Sequence, residues 1–284
     1  MSHPALVSGS TAVVTGGASG IGRAIALRLA RIGMAVAVAD IREERLPPLA
    51  EALAAAGARD VMTAAVDVSD RAAVTAFEAR VAARFGGCDI LFDNAGIQPG
   101  SAMFGPDADW DRVLAVNLMG IVHVARVFGP RMIARGRPGL IVATGSKQGI
   151  TTPPGDPAYN VAKAGVKAFT EALAHELRNT EGCGITAHLL IPGFVFTELN
   201  AGGRTEKPAG AWTPEQMTEF LFERLEAGDF YILCPDNDVP RALDEKRMSW
   251  AMGDIIENRP ALSRWHPDWA AAFEAHVKGD VKGG

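Results

Sequence analysis

The sequence predicts an α/β protein: a doubly wound, seven-stranded parallel sheet with helices on both faces and a helical C-terminal extension. Three observations carry this reading. Seven short runs rich in β-branched residues are apolar throughout rather than at alternate positions, as strands buried on both faces require. Ala- and Leu-rich stretches of helical period lie between them. A glycine-rich turn follows the first strand-like run and leads directly into the first helical stretch.

Taken in order, the strand-like runs are Ala12–Thr15, Ala35–Ala39, Val61–Val66, Asp89–Phe92, Leu140–Ala143, Ile185–Ile191 and Phe230–Leu233. Ile21–Ile32, Glu43–Ala56 and Arg71–Phe85 supply the early crossover helices. A later helix is expected over Pro157–Asn179, with Asp156 positioned to cap its free amides and Pro157 suited to the first helical position. The stretch of about 198–228 contains Gly202, Gly203 and Gly210 and a helix-like run from Pro214 to Glu226, and is expected to form a mobile lid. After Cys234 the tail of about 235–284 is rich in proline and tryptophan, and Trp269, Phe273 and Val277 repeat at helical spacing. No repeat, low-complexity tract or linker divides the chain, so residues 1–284 are expected to form one domain.

The chain has 284 residues, 48% of them hydrophobic, enough for a large core without staples. Cys88, Cys183 and Cys234 are scattered and have no neighbouring His cluster, which predicts reduced thiols, no metal site and a cytoplasmic location. Met1–Ser10 lacks the basic flank and apolar run of a signal peptide, and no uninterrupted apolar run approaches membrane-spanning length. A net charge of −5 argues against a nucleic-acid partner.

The glycine-rich turn reads Thr15-Gly16-Gly17-Ala18-Ser19-Gly20-Ile21-Gly22. Gly16 permits a tight exit from the strand, Gly20 a close backbone approach to a pyrophosphate, and Gly22 close packing of the helix on the sheet. The helix N-terminus then offers free N–H groups and a positive partial charge to the phosphates. The spacing is Gly-x-x-x-Gly-x-Gly rather than the commoner Gly-x-Gly-x-x-Gly. Asp40 ends the second strand-like run, where a carboxylate accepts bonds from ribose hydroxyls and repels a 2′-phosphate. NAD is therefore expected over NADP, although Arg42 stands close by.

Tyr159 and Lys163 lie one helical turn apart on one face. A phenol, with a pKa of about 10, is a poor base at neutral pH. An ammonium within about 4–6 Å can lower such a pKa by about 1–3 units. The pair is thus suited to moving a proton on and off an alcohol oxygen.

These motifs resemble the short-chain dehydrogenase/reductase family in its shorter form, over roughly Thr11 to Thr197. The signposts occur in order: Thr15–Gly22, Asp67-Val68, Asn94-Ala95-Gly96, Asn117, Ser146, Tyr159-x-x-x-Lys163, and Pro192-Gly193 with Thr197. The resemblance implies a Rossmann-type fold and an NAD-dependent enzyme interconverting a secondary alcohol and a ketone. It implies that Tyr159 is the general acid/base, that Ser146 orients the substrate oxygen, and that Lys163 also binds the nicotinamide ribose. Asn117 would hold a water in the proton path. Ser19, Gly20 and Ile21 would meet the phosphates, and Asp67 and Val68 the adenine. Asn94 would support the central strands while Ala95 and Gly96 approach the cofactor. Ile191, Pro192, Gly193, Val195 and Thr197 would surround the nicotinamide. Members commonly assemble as dimers or tetramers, so a homo-oligomer, most simply a tetramer, is expected.

The chain departs from the pattern at three places. Asp93 precedes Asn94 where a second asparagine is common. Lys147-Gln148 follow Ser146 where small residues are frequent, which should make the pocket more polar near the reacting carbon. Some fifty residues follow Phe230–Cys234 in place of a short glycine-rich tail. Phe194, Phe196, Trp212, Ile97 and Met103 are candidate apolar walls and Gln148 a polar contact, suiting a hydrophobic small-molecule alcohol or ketone. Two other readings share parts of the pattern. A non-catalytic NAD-binding sensor would not need Ser146, Tyr159, Lys163 and Asn117 together. A nucleotide-sugar epimerase or dehydratase shares Tyr-x-x-x-Lys but usually carries a larger C-terminal domain than the roughly 90 residues after Pro192 allow.

Overall fold

The computed structural model describes residues 3–279. Seven strands form one parallel sheet: β1 (Thr11–Thr15), β2 (Ala35–Asp40), β3 (Asp60–Ala65), β4 (Ile90–Asp93), β5 (Gly139–Thr144), β6 (Ile185–Ile191) and β7 (Tyr231–Leu233). Their spatial order is β3-β2-β1-β4-β5-β6-β7. Strand β1 therefore lies between β2 and β4, with Ala12 facing both Val36 and Ile90. The order reverses between β1 and β4, and in open α/β sheets the ligand crevice lies beyond the strand ends at such a point.

Side-chain alternation feeds two cores. Ala12 and Val14, with Val36, Val38, Ile90 and Phe92, pack against α1 (Gly20–Arg31), α2 (Leu46–Ala55) and α9 (Pro214–Ala227). Val13, Ala37, Leu91 and Ile141 point the other way, onto α3 (Arg71–Phe85), α5 (Ile121–Ala134) and the end of α7 (Pro157–Asn179). A strand whose successive residues enter opposite cores must be apolar at every position, which explains the continuous runs. Each large side chain buried in this way contributes about 1.5–3 kcal/mol. Phe92 and Phe128 are among the largest that are fully buried.

Two expectations need correction. Pro214–Ala227 does not belong to a mobile lid: Met217, Leu221, Phe222 and Leu225 are buried, and Phe222 stacks on Phe92 with ring centroids 6.1 Å apart. The exposed segment is limited to the short α8 (Glu198–Ala201) and the loop after it. The segment expected to be helical over Glu43–Ala56 divides into a 3-10 turn, Glu43–Arg45, and α2, because Pro47 and Pro48 suit only a helix start. Between β4 and β5, α4 (Asp107–Leu114) runs through a π-turn, Ala115–Gly120, into α5 as one helix. By length and composition, Asp107–Ala134 is long and apolar enough to cross a membrane. Here Val113, Ile121, Val124, Phe128 and Met132 are buried within the fold.

The extension contains α10 (Arg241–Ile256) and α11 (Ala270–Lys278). Trp250 of α10 is buried, with Trp269 and Phe273 edge-on to it at 6.3 and 5.5 Å and the Arg259 guanidinium 4.0 Å above its ring. The aromatic stripe of the tail is thus satisfied within the chain. Beyond Trp269 and Phe273, its third member, Val277, accepts a bond from Lys246 at its carbonyl, again within the extension.

Candidate active site

At the end of β1 the chain turns through Gly16, whose φ is +61°. A Cβ there would come within 2.7 Å of the Ala95 backbone, and one at Gly22 within 2.2 Å of the Gly16 carbonyl. Only glycine allows this turn, the first turn of α1 and the end of β4 to nest together. Ser19 occupies the N-cap of α1 in extended conformation, its hydroxyl making no bond to the helix amides. A cradle of bare backbone at a helix N-terminus fits a dinucleotide pyrophosphate.

Asp40 has a second role that sequence did not suggest. Its carboxylate accepts from the Ala18 amide at 2.9 Å and the Arg42 amide at 3.0 Å, tying the glycine turn to the end of β2. The Arg42 guanidinium is engaged elsewhere. Arg42 and Arg45 both reach the Glu198 carboxylate at 2.8 Å, which holds that group below the usual carboxylate range. Glu198 follows Thr197, so this contact links the β2–α2 loop to the segment after β6. Further along, Asp67 accepts from the amide and hydroxyl of Ser69 at 2.9 and 2.7 Å, while Val68 is buried beside it.

Asn94 joins three strands. Its backbone amide donates to the Thr15 hydroxyl at 2.9 Å, its side-chain nitrogen donates to the carbonyls of Thr15 and Gly16, and its side-chain oxygen accepts from Thr144 at 3.2 Å. Asp93 is buried beside it and accepts from the Thr15 hydroxyl at 3.1 Å. Burial raises its carboxyl well above the usual range, against the pull of Thr15 and of the Lys163 charge.

Tyr159 and Lys163 project from the first two turns of α7 and are both buried. The Lys163 ammonium donates to the Thr144 carbonyl at 2.8 Å and stands 5.7 Å from the Tyr159 ring centroid. Burial lowers Lys163 to about 8, with Asp93 opposing the shift. Burial raises Tyr159 to about 12; the Ser146 hydroxyl draws the phenol back and Asp156 pushes it further up. Desolvation therefore outweighs the expected lowering of the phenol by its neighbouring ammonium. The Ser146 hydroxyl also accepts from the Gln148 amide at 3.1 Å at the start of α6 (Gln148–Thr151).

The start of α7 is capped differently from expectation. Asp156 makes no cap bond. Instead the Ser101 hydroxyl accepts from the Ala158 amide at 3.0 Å and donates to Asp156 at 2.6 Å, and Gln98 donates to the other Asp156 oxygen at 3.3 Å. The loop after β4 thereby fixes the helix that carries the tyrosine.

Asn117 is fully buried in the π-turn. Its amide brackets Ile97, accepting from that residue's N–H and donating to its carbonyl, both at 2.7 Å. Each end of the side-chain amide makes one bond to the backbone, which ties the loop after β4 to the π-turn.

A groove of about 780 Å³ runs beyond the C-terminal strand ends. Gly16, Ser19, Gly20, Ile21, Asp40, Asp67, Val68, Asn94, Ala95 and Gly96 line it, as do Ser146, Gln148, Tyr159, Lys163, Pro192, Gly193, Phe194, Val195 and Thr197. Gly22 and Asn117 support it from behind. Gln98, Leu199, Asn200 and Arg204 also line it; no motif surrounds Gln98, Leu199 or Asn200, so nothing in the sequence marks these three. Phe196 and Trp212 do not line it. Val195 bridges to Trp212 as a short parallel pair, Phe196 donates its amide to the Trp212 carbonyl at 2.9 Å, and the Trp212 ring packs on Phe220. Phe196 and Trp212, two of the expected walls, are therefore engaged in structural contacts instead. Met103 is exposed and also lies outside the lining.

Residues 10–208 match the short chain dehydrogenase family model. This chain belongs to the short-chain dehydrogenase/reductase family. It is 38% identical over 196 residues to the short-chain dehydrogenase/reductase eriH of Hericium erinaceus, covering 67% of this chain and 76% of that one. It is 40% identical over 189 residues to EphD of Mycobacterium tuberculosis, described as a probable oxidoreductase, but covers only 31% of that longer protein and 66% of this chain. Among solved structures, a Burkholderia phymatum family member in complex with NAD superposes with a TM-score of 0.80 at 32% identity, over 89% of this chain and 96% of that one.

Proposed function

We propose that this protein is an NAD-dependent dehydrogenase that interconverts a hydrophobic secondary alcohol and its ketone, with Tyr159 as general acid/base. The observation that carries the reading is the meeting of Ser146, Tyr159 and Lys163 on one groove with the glycine cradle of α1. A sensor would need only the cradle.

The cradle, Asp40 and the Asn94–Gly96 turn fit a dinucleotide, and Asp40 with Arg42 engaged by Glu198 favours the form without a 2′-phosphate. Bound NAD would supply the hydride acceptor and a positive charge next to the phenol. Everything else falls to the chain. Ser146 donates to the substrate oxygen and orients it, while the Tyr159 oxygen takes the alcohol proton. The Lys163 ammonium, held by the Thr144 carbonyl, steadies the Tyr159 phenolate that takes this proton and binds the nicotinamide ribose. Phe194, Ile97 and Leu199 supply apolar walls and Gln98 and Gln148 polar contacts, which suits a ring or aromatic group next to the carbinol carbon. We place the protein in the cytoplasm, on its scattered cysteines. We also read it as a homo-oligomer, most simply a tetramer, supported by exposed apolar residues such as Met119, Val161 and Ile255.

A panel comprising 1-phenylethanol, cyclohexanol, 2-decanol and a 3-hydroxysteroid, assayed for NADH formation, tests the reading. Tyr159→Phe should lower kcat by at least tenfold, about 1.4 kcal/mol of transition-state stabilisation, while NADH binds within about twofold of wild type. A variant keeping more than a tenth of wild-type turnover would remove Tyr159 from the acid/base role.

A further inference from the structure

Lys147 follows Ser146 directly, and its charge does not enter the groove as a free cation. Its ammonium lies 2.5 Å from an Asp244 oxygen and 3.3 Å from an Asp236 oxygen. The three side chains are 18%, 6% and 6% exposed. The same Asp236 oxygen accepts from the Phe194 amide at 3.1 Å, and its other oxygen accepts from the amides of Asp238 and Val239. One buried cluster therefore ties together the turn bearing Ser146, the segment after β6 that lines the groove, and the chain beyond β7. Asp244 lies in the first turn of α10, so the C-terminal extension takes part in it.

Two details show that the neighbourhood is built around this contact. A Cβ on Gly193 would stand 2.7 Å from the Asp236 carboxylate and 2.9 Å from the Lys147 ammonium, so glycine is required for the pair to reach Phe194. The helix after Ser146, α6, is a single turn of four residues. A single turn cannot hold its own conformation, so the position of Ser146 must be fixed from outside. Burial raises the Asp244 carboxyl and Lys147 draws it back, so the carboxylate also depends on the lysine. A buried ion pair of this kind gives little net stability and has its best use in fixing one arrangement over others.

We propose that Lys147, clamped between Asp236 and Asp244, is a positioning residue that fixes Ser146 and the Gly193–Phe194 backbone relative to each other and makes the C-terminal extension part of the reaction site. The inference rests on the reading of Ser146 and Tyr159 given above. It differs from a merely structural docking of α10 in what it demands of the serine turn.

The test uses the full-length protein saturated with NADH and the variants Lys147→Met, Lys147→Arg, Asp244→Asn and Lys147→Met/Asp244→Asn. Hydrogen exchange read by mass spectrometry should accelerate fivefold or more over residues 144–152 and 192–197 in Lys147→Met and Asp244→Asn. Residues 15–22 should be unchanged, and Lys147→Arg should restore most of the protection. With NAD and the panel alcohol that wild type oxidises fastest, Lys147→Met should lower kcat tenfold or more and leave the KM for NAD within twofold. The double variant should be no slower than Lys147→Met. Faster exchange confined to residues 241–256 would overturn the proposal, since α10 would then merely dock. So would a raised alcohol KM at unchanged kcat, since Lys147 would then touch substrate. Asp244→Asn keeps the Lys147–Asp236 pair and the side-chain volume, so it reports even if Lys147→Met fails to fold. If no panel alcohol is oxidised, the reaction reading fails while the exchange result still decides the clamp.

Discussion

Lys163 is the residue on which burial and chemistry pull hardest against each other. Its ammonium is kept in the interior by one carbonyl and the Asp93 charge, and desolvation lowers it from 10.5 to about 8. Below about pH 8 it is charged in both folded and unfolded chains, and the cost of burying the charge is present in full. Between about 8 and 10.5 the unfolded chain keeps the proton that the folded protein has released, so this residue's contribution to stability improves as pH rises. Tyr159, raised from 10.0 to about 12, acts in the opposite sense from pH 10 upward, since the folded state then holds the extra proton. Thermal melts of the cofactor-free protein at pH 7.5 and 9.5 should therefore show wild type gaining on Lys163→Met at the higher pH. The Thr144 carbonyl left unpaired by methionine adds a constant offset, so the change with pH carries the result. Parallel melting temperatures at the two pH values would show that the lysine is not desolvated as described. A residue that stabilises an enzyme poorly in order to steady a phenolate is the kind of stability cost that active sites retain.

Among the elements, α7 matters most because it holds Tyr159 and Lys163 in its first two turns. Its N-terminus is secured by Ser101, whose hydroxyl accepts from the Ala158 amide and donates to Asp156. Removing a side-chain cap costs on the order of 1 kcal/mol. Ser101→Ala is expected to lower the unfolding free energy in urea by about that amount and to reduce kcat more than it changes the KM for NAD, because Tyr159 sits within the loosened turn. An unchanged urea midpoint would show that Asp156 takes over the cap when the serine is lost. The α4–α5 helix shows why such elements are hard to read. Its π-turn at Ala115–Gly120 inserts an extra residue and shifts the apolar face, so no single helical period runs through it. Pro130 within α5 further disguises it.

At the scale of the whole molecule, the extension is held by two different kinds of contact. One, the Lys147 cluster, joins it to the turn after β5 and the segment after β6. The other lies within the extension itself: an aromatic group in which Trp250 is covered by Trp269, Phe273 and the Arg259 guanidinium. A chain ending at residue 259 would keep α10 but expose Trp250. It should melt at least about 5 °C lower, since a protein of this size loses roughly 2–4 °C per kcal/mol and a large buried aromatic contributes about 1.5–3 kcal/mol plus its ring contacts. Scanning calorimetry checks this. Light scattering of the same two chains separates loss of an internal contact, with mass retained, from loss of an interface, with mass reduced. An unchanged melting temperature would make the tail independent of the core.

The sequence by itself determined the sheet, its parallel character and the order of its signposts. Strands such as Ala12–Thr15 feed two cores at once and must be apolar throughout. Backbone-limited positions such as Gly16 and Gly22 admit no other residue. Local constraints of this kind are written into consecutive residues. The Tyr159-x-x-x-Lys163 pair was legible for the same reason, since one helical turn fixes its geometry. Only the tertiary structure decided the rest, because the deciding partners are distant in the chain. Ser101 rather than Asp156 caps α7 from 57 residues away. Glu198 engages Arg42 from 156 residues away. Phe196 and Trp212 turn from the groove because each other's backbone holds them. Lys147 reads as a polar wall until Asp236 and Asp244 close on it. Periodicity and spacing encode which way a side chain faces along its own element. Which group meets it there depends on how the elements pack, and that is settled only when the whole chain has folded.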